Sequence, residues 1–130
     1  MAADKLISSG GPWESVIGYS RAVKAGPYVH VSGTTATVDG VLQHEGDVYG
    51  QTKVAYGIIE KALAEVGYQL SDIVRVRIYV RSESDLDGAG KANGELFSEI
   101  RPAATLLSGV GFVNPKMLVE VEVDAYKADA

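Results

Sequence analysis

Residues 73–81 read IVRVRIYVR and residues 118–126 read LVEVEVDAY, and these two stretches decide the fold. Because side chains alternate between the two faces of a β-strand, each stretch predicts a strand with one apolar face and one charged face. The apolar faces consist of Val74, Val76, Ile78 and Val80 in the first strand and of Val119, Val121, Val123 and Ala125 in the second. The opposite faces consist of Arg75, Arg77, Tyr79 and Arg81 in the first strand and of Glu120, Glu122 and Asp124 in the second.

The charged face of this sheet is open to two interpretations. It can be solvated, or it can close against another subunit, with charges of opposite sign paired across the strands. The acidic row of Glu120, Glu122 and Asp124 likewise has two interpretations. It can form salt bridges with the arginine row, or it can form a metal-binding or acid–base cluster, because carboxylates brought close together share protons.

Turn residues mark the strands that precede these two. Strands are predicted at residues 16–24 and 28–34, and a short turn joins them into a hairpin. Residues 37–46 are predicted as a loop, in which Asp39 and Gly40 form a tight turn. In the second strand of the hairpin, apolar and polar residues alternate as clearly as in the two stretches that decide the fold.

Two segments change to a helical period. Apolar residues predict a helix over residues 48–66, with Asp47 as its N-cap, and a second helix over residues 85–99. A short strand is expected at residues 104–109. The order β-β-α-β-α-β-β predicts an α+β fold, in which two helices cover one face of a mixed sheet.

Composition bounds the function. The 130 residues predict a single domain, 1–130, and 46% hydrophobic against 22% charged residues is typical of a globular protein. The sequence has no cysteine, which excludes disulfides and thiolate chemistry, and only two histidines, which argues against a zinc site. A net charge of −5 argues against nucleic acid as a partner. No apolar run is long enough for a membrane span and no signal-peptide pattern is visible, so a cytoplasmic location is predicted.

His30 and Ser32 form a pair that also has two interpretations. A serine and a histidine suggest nucleophilic catalysis, but residues two apart on a strand only share a face, and no third member is evident. Alternatively, the hydroxyl and the imidazole line a cleft or an interface.

Several short motifs, in this order and at this spacing, resemble one family over nearly the whole chain. It is the Rid (reactive intermediate deaminase) family, also called YjgF-like or L-PSP endoribonuclease-like. The motifs are IGY at 17–19, VSG at 31–33, GD at 46–47, QT at 51–52, AL at 62–63, DIV at 72–74, YV at 79–80, RPAAT at 101–105 and VEVDA at 121–125.

The resemblance implies a chorismate-mutase-like fold and a homotrimer with clefts at the subunit interfaces. It implies hydrolysis of enamine and imine intermediates, such as 2-aminoacrylate, to a keto acid and ammonia, with no metal and no cofactor. Among the cleft residues it implies, Tyr19, Ser32 and Glu122 are present, with Glu122 positioning the attacking water. These three are the predicted catalytic residues.

The sequence departs from the family pattern at three cleft positions. The arginine that binds a substrate carboxylate is replaced by Ala104, an asparagine by Gly90 and a cysteine by Leu106. A guanidinium binds a carboxylate through two charge-assisted hydrogen bonds, so this loss predicts weak binding of carboxylate substrates such as 2-aminoacrylate. The RPAAT motif resembles the branch of the family that lacks this arginine. The predicted substrate-binding positions are Gly90, Arg101, Ala104 and Thr105.

Candidate substitutes for the missing arginine are Arg101, Arg21 and an arginine of a neighbouring subunit. Three functions stay open: hydrolysis of an unusual enamine or imine, binding of a small metabolite by a non-catalytic or chaperone-like trimer, and, with least support, cleavage of RNA.

Overall fold

The computed structural model describes residues 5–128. In chain order the strands are β1 (Lys5–Ile7), β2 (Ala22–Ala25), β3 (Tyr28–Thr34), β4 (Thr37–Val38), β5 (Val41–Leu42), β6 (Ile73–Val80), β7 (Ala103–Leu107) and β8 (Val119–Tyr126). The helices are α1 (Val48–Ala64) and α2 (Leu86–Phe97), with a π-helical turn at Glu14–Gly18 and 3-10 turns at Leu70–Asp72 and Glu83–Asp85.

Six of the strands form one mixed sheet, in the order β1-β2-β3-β8-β6-β7. All neighbours in it are antiparallel except β6 and β7, which are parallel and are connected through α2. Helix α1 packs against β3 and β8, and α2 packs against α1 and β6. The predicted α+β fold, with two helices on one face of a mixed sheet, is confirmed.

The core lies between the helices and the apolar face of the sheet. Tyr56, Ile59 and Leu63 of α1 are at most 1% exposed and belong to one cluster with the buried sheet residues. The predicted inward residues of β8, which are Val119, Val121, Val123 and Ala125, all lie in this cluster. The prediction that every second residue of LVEVEVDAY faces the core is therefore confirmed.

Two local predictions are also confirmed. The side chain of Asp47 accepts a hydrogen bond from the Gly50 N–H at 3.0 Å and so caps α1. Asp39 and Gly40 have φ angles of 51° and 78°, and they join β4 to β5 as a two-residue hairpin turn. The predicted loop at 37–46 thus contains a small hairpin.

The prediction of a continuous strand at 16–24 is wrong. The chain forms the π-helical turn first, with Tyr19 N–H donating to Glu14 O at 2.9 Å, and β2 begins only at Ala22. The Glu14 carboxylate accepts hydrogen bonds from Ser9 and Gly11 of the preceding loop. These bonds fix the start of the turn, so residues 16–18 are in the turn and not in an extended strand. Tyr19 therefore lies in a loop before the hairpin, not in its first strand.

The inward position predicted for Val74 is also wrong. The register of β6 against β8 shifts between Ile73 and Arg75, which places Ile73 in the core at 2% exposure and leaves Val74 45% exposed. A bulge of this kind inserts one residue and reverses the alternation locally. The rest of the predicted face, Val76, Ile78 and Val80, is buried.

Strand β7 forms one edge of the sheet and begins one residue earlier than predicted. It pairs with β6, and all five of its residues are exposed. Helices α1 and α2 end about two residues before the predicted ends, which is the usual uncertainty of such boundaries. Between residues 5 and 128, neither helix combines the length and apolar character needed to cross a bilayer.

Candidate functional site

A shallow hollow opens where β1, β2 and β3 lie side by side. Its volume is about 540 Å³. The residues around it are Leu6, Glu14, Gly18, Tyr19, Ser20, Val23 and Ser32. Two of the three predicted catalytic residues, Tyr19 and Ser32, therefore share one hollow.

The hydroxyl of Ser32 is held by the segment that leads into β2. Its Oγ donates to the carbonyl oxygen of Ser20 at 2.7 Å, and its N–H donates to the carbonyl oxygen of Arg21 at 2.9 Å. His30 has a different partner, because its Nδ1 lies 2.8 Å from Asp124 Oδ1. This arrangement is that of two residues lining a surface, the second interpretation of the pair, rather than of a nucleophile with its base.

A β-bulge in β3 brings a carboxylate to the same place. The register of β3 against β8 shifts between Val31 and Thr34, so Ser32 and Gly33 form the bulge. The Glu120 side chain fills the space over it: a Cβ on Gly33 would overlap Glu120 Oε2 and lie 2.8 Å from Cδ. Only glycine permits this close approach.

The environment of Glu120 changes its acidity. Burial raises the pKa of this carboxyl group above its usual range, the positive charge of Arg21 opposes the shift, and the negative charge of Glu122 adds to it. A carboxyl group with a raised pKa can donate as well as accept a proton closer to neutral pH. In the sequence, Glu120 is only one member of the acidic row. The signal in the sequence that points to such a contact is Gly33, because a glycine directly after the cleft serine leaves room for a side chain from the next strand.

Glu122 takes part in a row of side-chain pairs across the sheet. It accepts a hydrogen bond from the Tyr79 hydroxyl, and this bond, together with burial, raises the pKa of Tyr79. Arg77 lies 4.0 Å from Glu122 Oε1 through Nε and 3.4 Å from Asp124 Oδ2 through Nη1. Salt bridges between the acidic and arginine rows, one of the two interpretations above, are thus present.

Arg21 binds the backbone of the bulge through hydrogen bonds. It is only 9% exposed, and its Nη1 donates to Gly33 O and to Thr34 Oγ1, both at 2.9 Å. Its guanidinium also lies 5.6 Å from the ring centroid of Tyr19. Arg21 therefore holds the backbone of the site in place, and its Nη1 donors are already engaged by the protein.

The predicted substrate-binding residues lie elsewhere in the chain. Ala104 and Thr105 are on β7, opposite Val76 and Arg77 of β6. Arg101, exposed and with a φ of 55°, precedes this strand. It borders a second hollow of about 360 Å³ together with Asn93, Gly94, Phe97, Ser98 and Pro102. Gly90 is on α2, and a Cβ there would meet open space.

Two strands, β8 and β6, separate the two groups of predicted site residues. Three strand spacings of about 4.8 Å place Ser32 and Ala104 roughly 14 Å apart across the sheet. One small metabolite cannot touch both groups in a single chain. As for metals, residues 5–128 contain no cluster of three histidine or carboxylate side chains arranged to hold an ion.

Comparisons with known proteins identify the family of this fold. The family model described as endoribonuclease L-PSP matches residues 12–127. The crystal structure of Rv2704 from Mycobacterium tuberculosis, described as a member of the YjgF/YER057c/UK114 family, is 41% identical with a TM-score of 0.84. The match covers 95% of this chain and 98% of that one.

Two curated relatives extend the comparison. The uncharacterized protein SCO2049 of Streptomyces coelicolor is 45% identical over 125 residues, 96% of this chain and 93% of that protein. The 2-iminobutanoate/2-iminopropanoate deaminase of Dermatophagoides farinae is 26% identical over 94% of this chain and 95% of its own length. The match of the family model over most of the chain, together with the similarity to Rv2704, shows that this chain belongs to the endoribonuclease L-PSP family of YjgF-like proteins.

Proposed function

We propose that the protein hydrolyses the C–N bond of a reactive imine or enamine, in a cleft that a second copy of the chain completes. The observation that carries the proposal is the bulge in β3, where Ser32 shares a hollow with Tyr19 and the next residue, Gly33, lies against the Glu120 carboxyl group. The relative from Dermatophagoides farinae is named as a deaminase of imino acids, which supports the reaction class.

The reaction needs one group that moves a proton. Water adds to the imine carbon while a carboxylate accepts one of its protons, and the resulting carboxylic acid passes that proton to nitrogen. The carboxylate then takes the remaining hydroxyl proton and returns it to nitrogen as the C–N bond breaks, so that a carbonyl compound and ammonia leave. An enamine first takes a proton on carbon. General acid–base catalysis of this kind raises a rate by about 10²–10⁴-fold, and a gain of this size suffices because imines and enamines already hydrolyse slowly without an enzyme.

Two carboxylates are candidates for this role. Glu122 is implied by the family resemblance, and its partner is the Tyr79 hydroxyl. Glu120 is the one that lies over Gly33 and has a raised pKa. We favour Glu120 as the proton-moving group, with Glu122 as the alternative and with Tyr19 and Ser32 orienting the substrate.

Assembly is part of the proposal. The substrate-binding positions on β7 and the hollow at Ser32 lie too far apart to act together in one chain. The open edge of β7 carries Leu106 and Leu107, which are 37% and 49% exposed. We propose a homotrimer in which β7 of one subunit lies beside the hollow of the next. Light scattering should then give three times the 13.7 kDa mass of the chain.

A second candidate function is binding of a small metabolite without turnover. It is favoured by Ala104, Gly90 and Leu106, which stand where the family pattern has three polar cleft residues. RNA cleavage has less support, because a chain of net charge −5 with an acidic row beside the hollow repels phosphates. The cytoplasmic location stays a prediction.

Hydrolysis of freshly generated imines tests the proposal. Glu120→Gln is expected to lower the rate by about 10²-fold or more, whereas Glu122→Gln lowers it less. Exposed Glu60→Gln is the control that leaves the rate unchanged. A larger loss in Glu122→Gln would transfer the role to Glu122. No turnover of any imine by the unmodified protein would leave metabolite binding as the function.

A further inference from the structure

The hollow beside Tyr19 and Ser32 has one charged residue on its border, and that residue is negative. Glu14 is 9% exposed, while the other lining groups are hydroxyls, a glycine and the apolar side chains of Leu6 and Val23. A ligand in this hollow therefore lies in the field of a largely buried carboxylate, where solvent screens charge less than it does at an open surface.

The charge on Glu14 is maintained by its surroundings. Oε2 accepts hydrogen bonds from the Ser9 N–H at 3.1 Å, the Ser9 hydroxyl at 2.9 Å and the Gly11 N–H at 3.2 Å. Burial acts to raise the pKa of Glu14, but hydrogen bonds from Ser8, Ser9 and Gly11 outweigh it and hold the pKa below the usual range. The carboxylate thus stays ionised at neutral pH.

No cation of the described chain, residues 5–128, pairs with this carboxylate within salt-bridge distance. Arg21 lies beside the hollow, but its Nη1 bonds to Gly33 and Thr34, and its charge acts on Glu120. A subunit that brought β7 to the hollow would place uncharged Ala104 where the family pattern has its arginine, and its exposed Arg101 lies before the strand, on the second hollow beside α2. The Glu14 carboxylate therefore has no ion-pair partner within residues 5–128, and its charge acts on a ligand in the hollow without being cancelled by direct contact.

From these observations we propose that the hollow binds small cationic or neutral nitrogen compounds, such as protonated imines of simple amines, and discriminates against carboxylates. The inference rests on the proposed hydrolysis and names its substrate class. A protonated imine is attracted by the Glu14 carboxylate, whereas a 2-imino acid brings a carboxylate that the field repels and that no arginine at position 104 binds.

Three ligands with the same carbon skeleton test the proposal without any turnover. They are 3-methylbutylamine, which is a cation at neutral pH, 3-methylbutanamide, which is neutral, and 3-methylbutanoate, which is an anion. NMR titration should give the tightest binding for the amine and at least about tenfold weaker binding for the carboxylate. Equal or tighter binding of the carboxylate would overturn the proposal, as would failure of all three to shift the resonances of Tyr19 and Ser32.

A substitution links the preference to Glu14. Glu14→Gln keeps an oxygen that can accept from Ser9 and Gly11, and it should weaken binding of the amine by about tenfold while leaving the amide unchanged. Glu60→Gln, on the exposed side of α1, should change neither. An amine affinity that does not change in folded Glu14→Gln would contradict the assignment. If this variant does not fold, the order of the three ligands on the unmodified protein decides the question.

Turnover separates this inference from the proposed function. Oxidation of 3-methylbutylamine gives an aldimine, and oxidation of leucine gives a 2-imino acid with the same alkyl group. Faster hydrolysis of the aldimine than of the 2-imino acid supports both proposals. Hydrolysis of the 2-imino acid alone overturns the substrate class but keeps the reaction. Hydrolysis of neither, with the amine still bound most tightly, overturns the reaction but keeps the binding preference.

Discussion

The carboxylate of Glu120 lies directly over Gly33, so closely that a single methyl group on that glycine would overlap it. This relationship joins β3 to β8 at the point where their register shifts. It also leaves a carboxyl group half-buried beside the cleft serine. The stability of the sheet and the acidity of the site therefore depend on the same two residues.

Gly33→Ala tests this relationship. The added methyl group must displace Glu120 or the bulge, so the free energy of unfolding should fall by about 1–3 kcal/mol. Gly57→Ala, on the exposed side of α1, is the control, because a Cβ there meets nothing within 4 Å. It should raise the same free energy by about 0.5–1 kcal/mol. Equal effects of the two substitutions in urea unfolding would contradict the close approach.

Glu120 should make the unfolding free energy depend on pH in a defined direction. Because the pKa of Glu120 is raised above 4.5 in the folded protein, the folded state binds this proton more tightly than the unfolded state does. The stability from this site is complete below pH 4.5 and is lost as the pH rises through the raised value. Glu120→Gln should therefore gain stability relative to the unmodified protein across that interval. Urea unfolding at a series of pH values measures the difference, and a difference that falls with pH would refute the assignment.

Arg21 should be necessary for stability. Arg21→Met removes the donor for Gly33 O and for the buried Thr34 hydroxyl, so the unfolding free energy should fall by about 1.5–3 kcal/mol. Arg75→Met, at a half-exposed position of β6, should change it by no more than about 0.5 kcal/mol. Thermal unfolding of both variants measures this, and equal destabilisation would show that the contacts of Arg21 contribute little.

Ala104→Arg tests whether β7 reaches the hollow of a second copy. A guanidinium at this position should raise hydrolysis of the leucine-derived 2-imino acid at least about tenfold relative to the matching aldimine, because it binds the carboxylate. Ala103→Arg points to the other face of the strand and is the control, since it adds the same charge. The same gain in both variants would mean that overall charge, and not a shared cleft, is responsible.

Local patterns predicted much of this fold. The alternation of β3 and β8, the helical period of α1 and the Asp47 cap are all properties of short segments, and the structure has each of them. The order of these elements was enough to predict the α+β architecture, since connections between neighbouring elements are short and follow few topologies.

The features that the sequence did not predict depend on individual contacts, local or between strands, and not on the periodicity of a segment. The π-helical turn follows from hydrogen bonds between Glu14 and the loop before it, which no periodicity reveals. The exposure of Val74 and the burial of Glu120 both follow from bulges, and a bulge is set by how two strands pair. This is why the acidic row was predicted correctly, whereas the special position of Glu120 within it was not.

The open edge of β7 has a consequence for the newly made chain. Residues Ala103–Leu107 present backbone N–H and C=O groups that lack a strand on their outer side, together with two exposed leucines. Such an edge can pair with an extended segment of another chain. At high local concentration, a newly folded chain can therefore pair wrongly with its neighbours until a subunit covers the edge. Dilution should therefore have two opposing effects on this protein, because it slows aggregation through the open edge and also removes the neighbouring subunit that the proposed trimer uses to cover that edge.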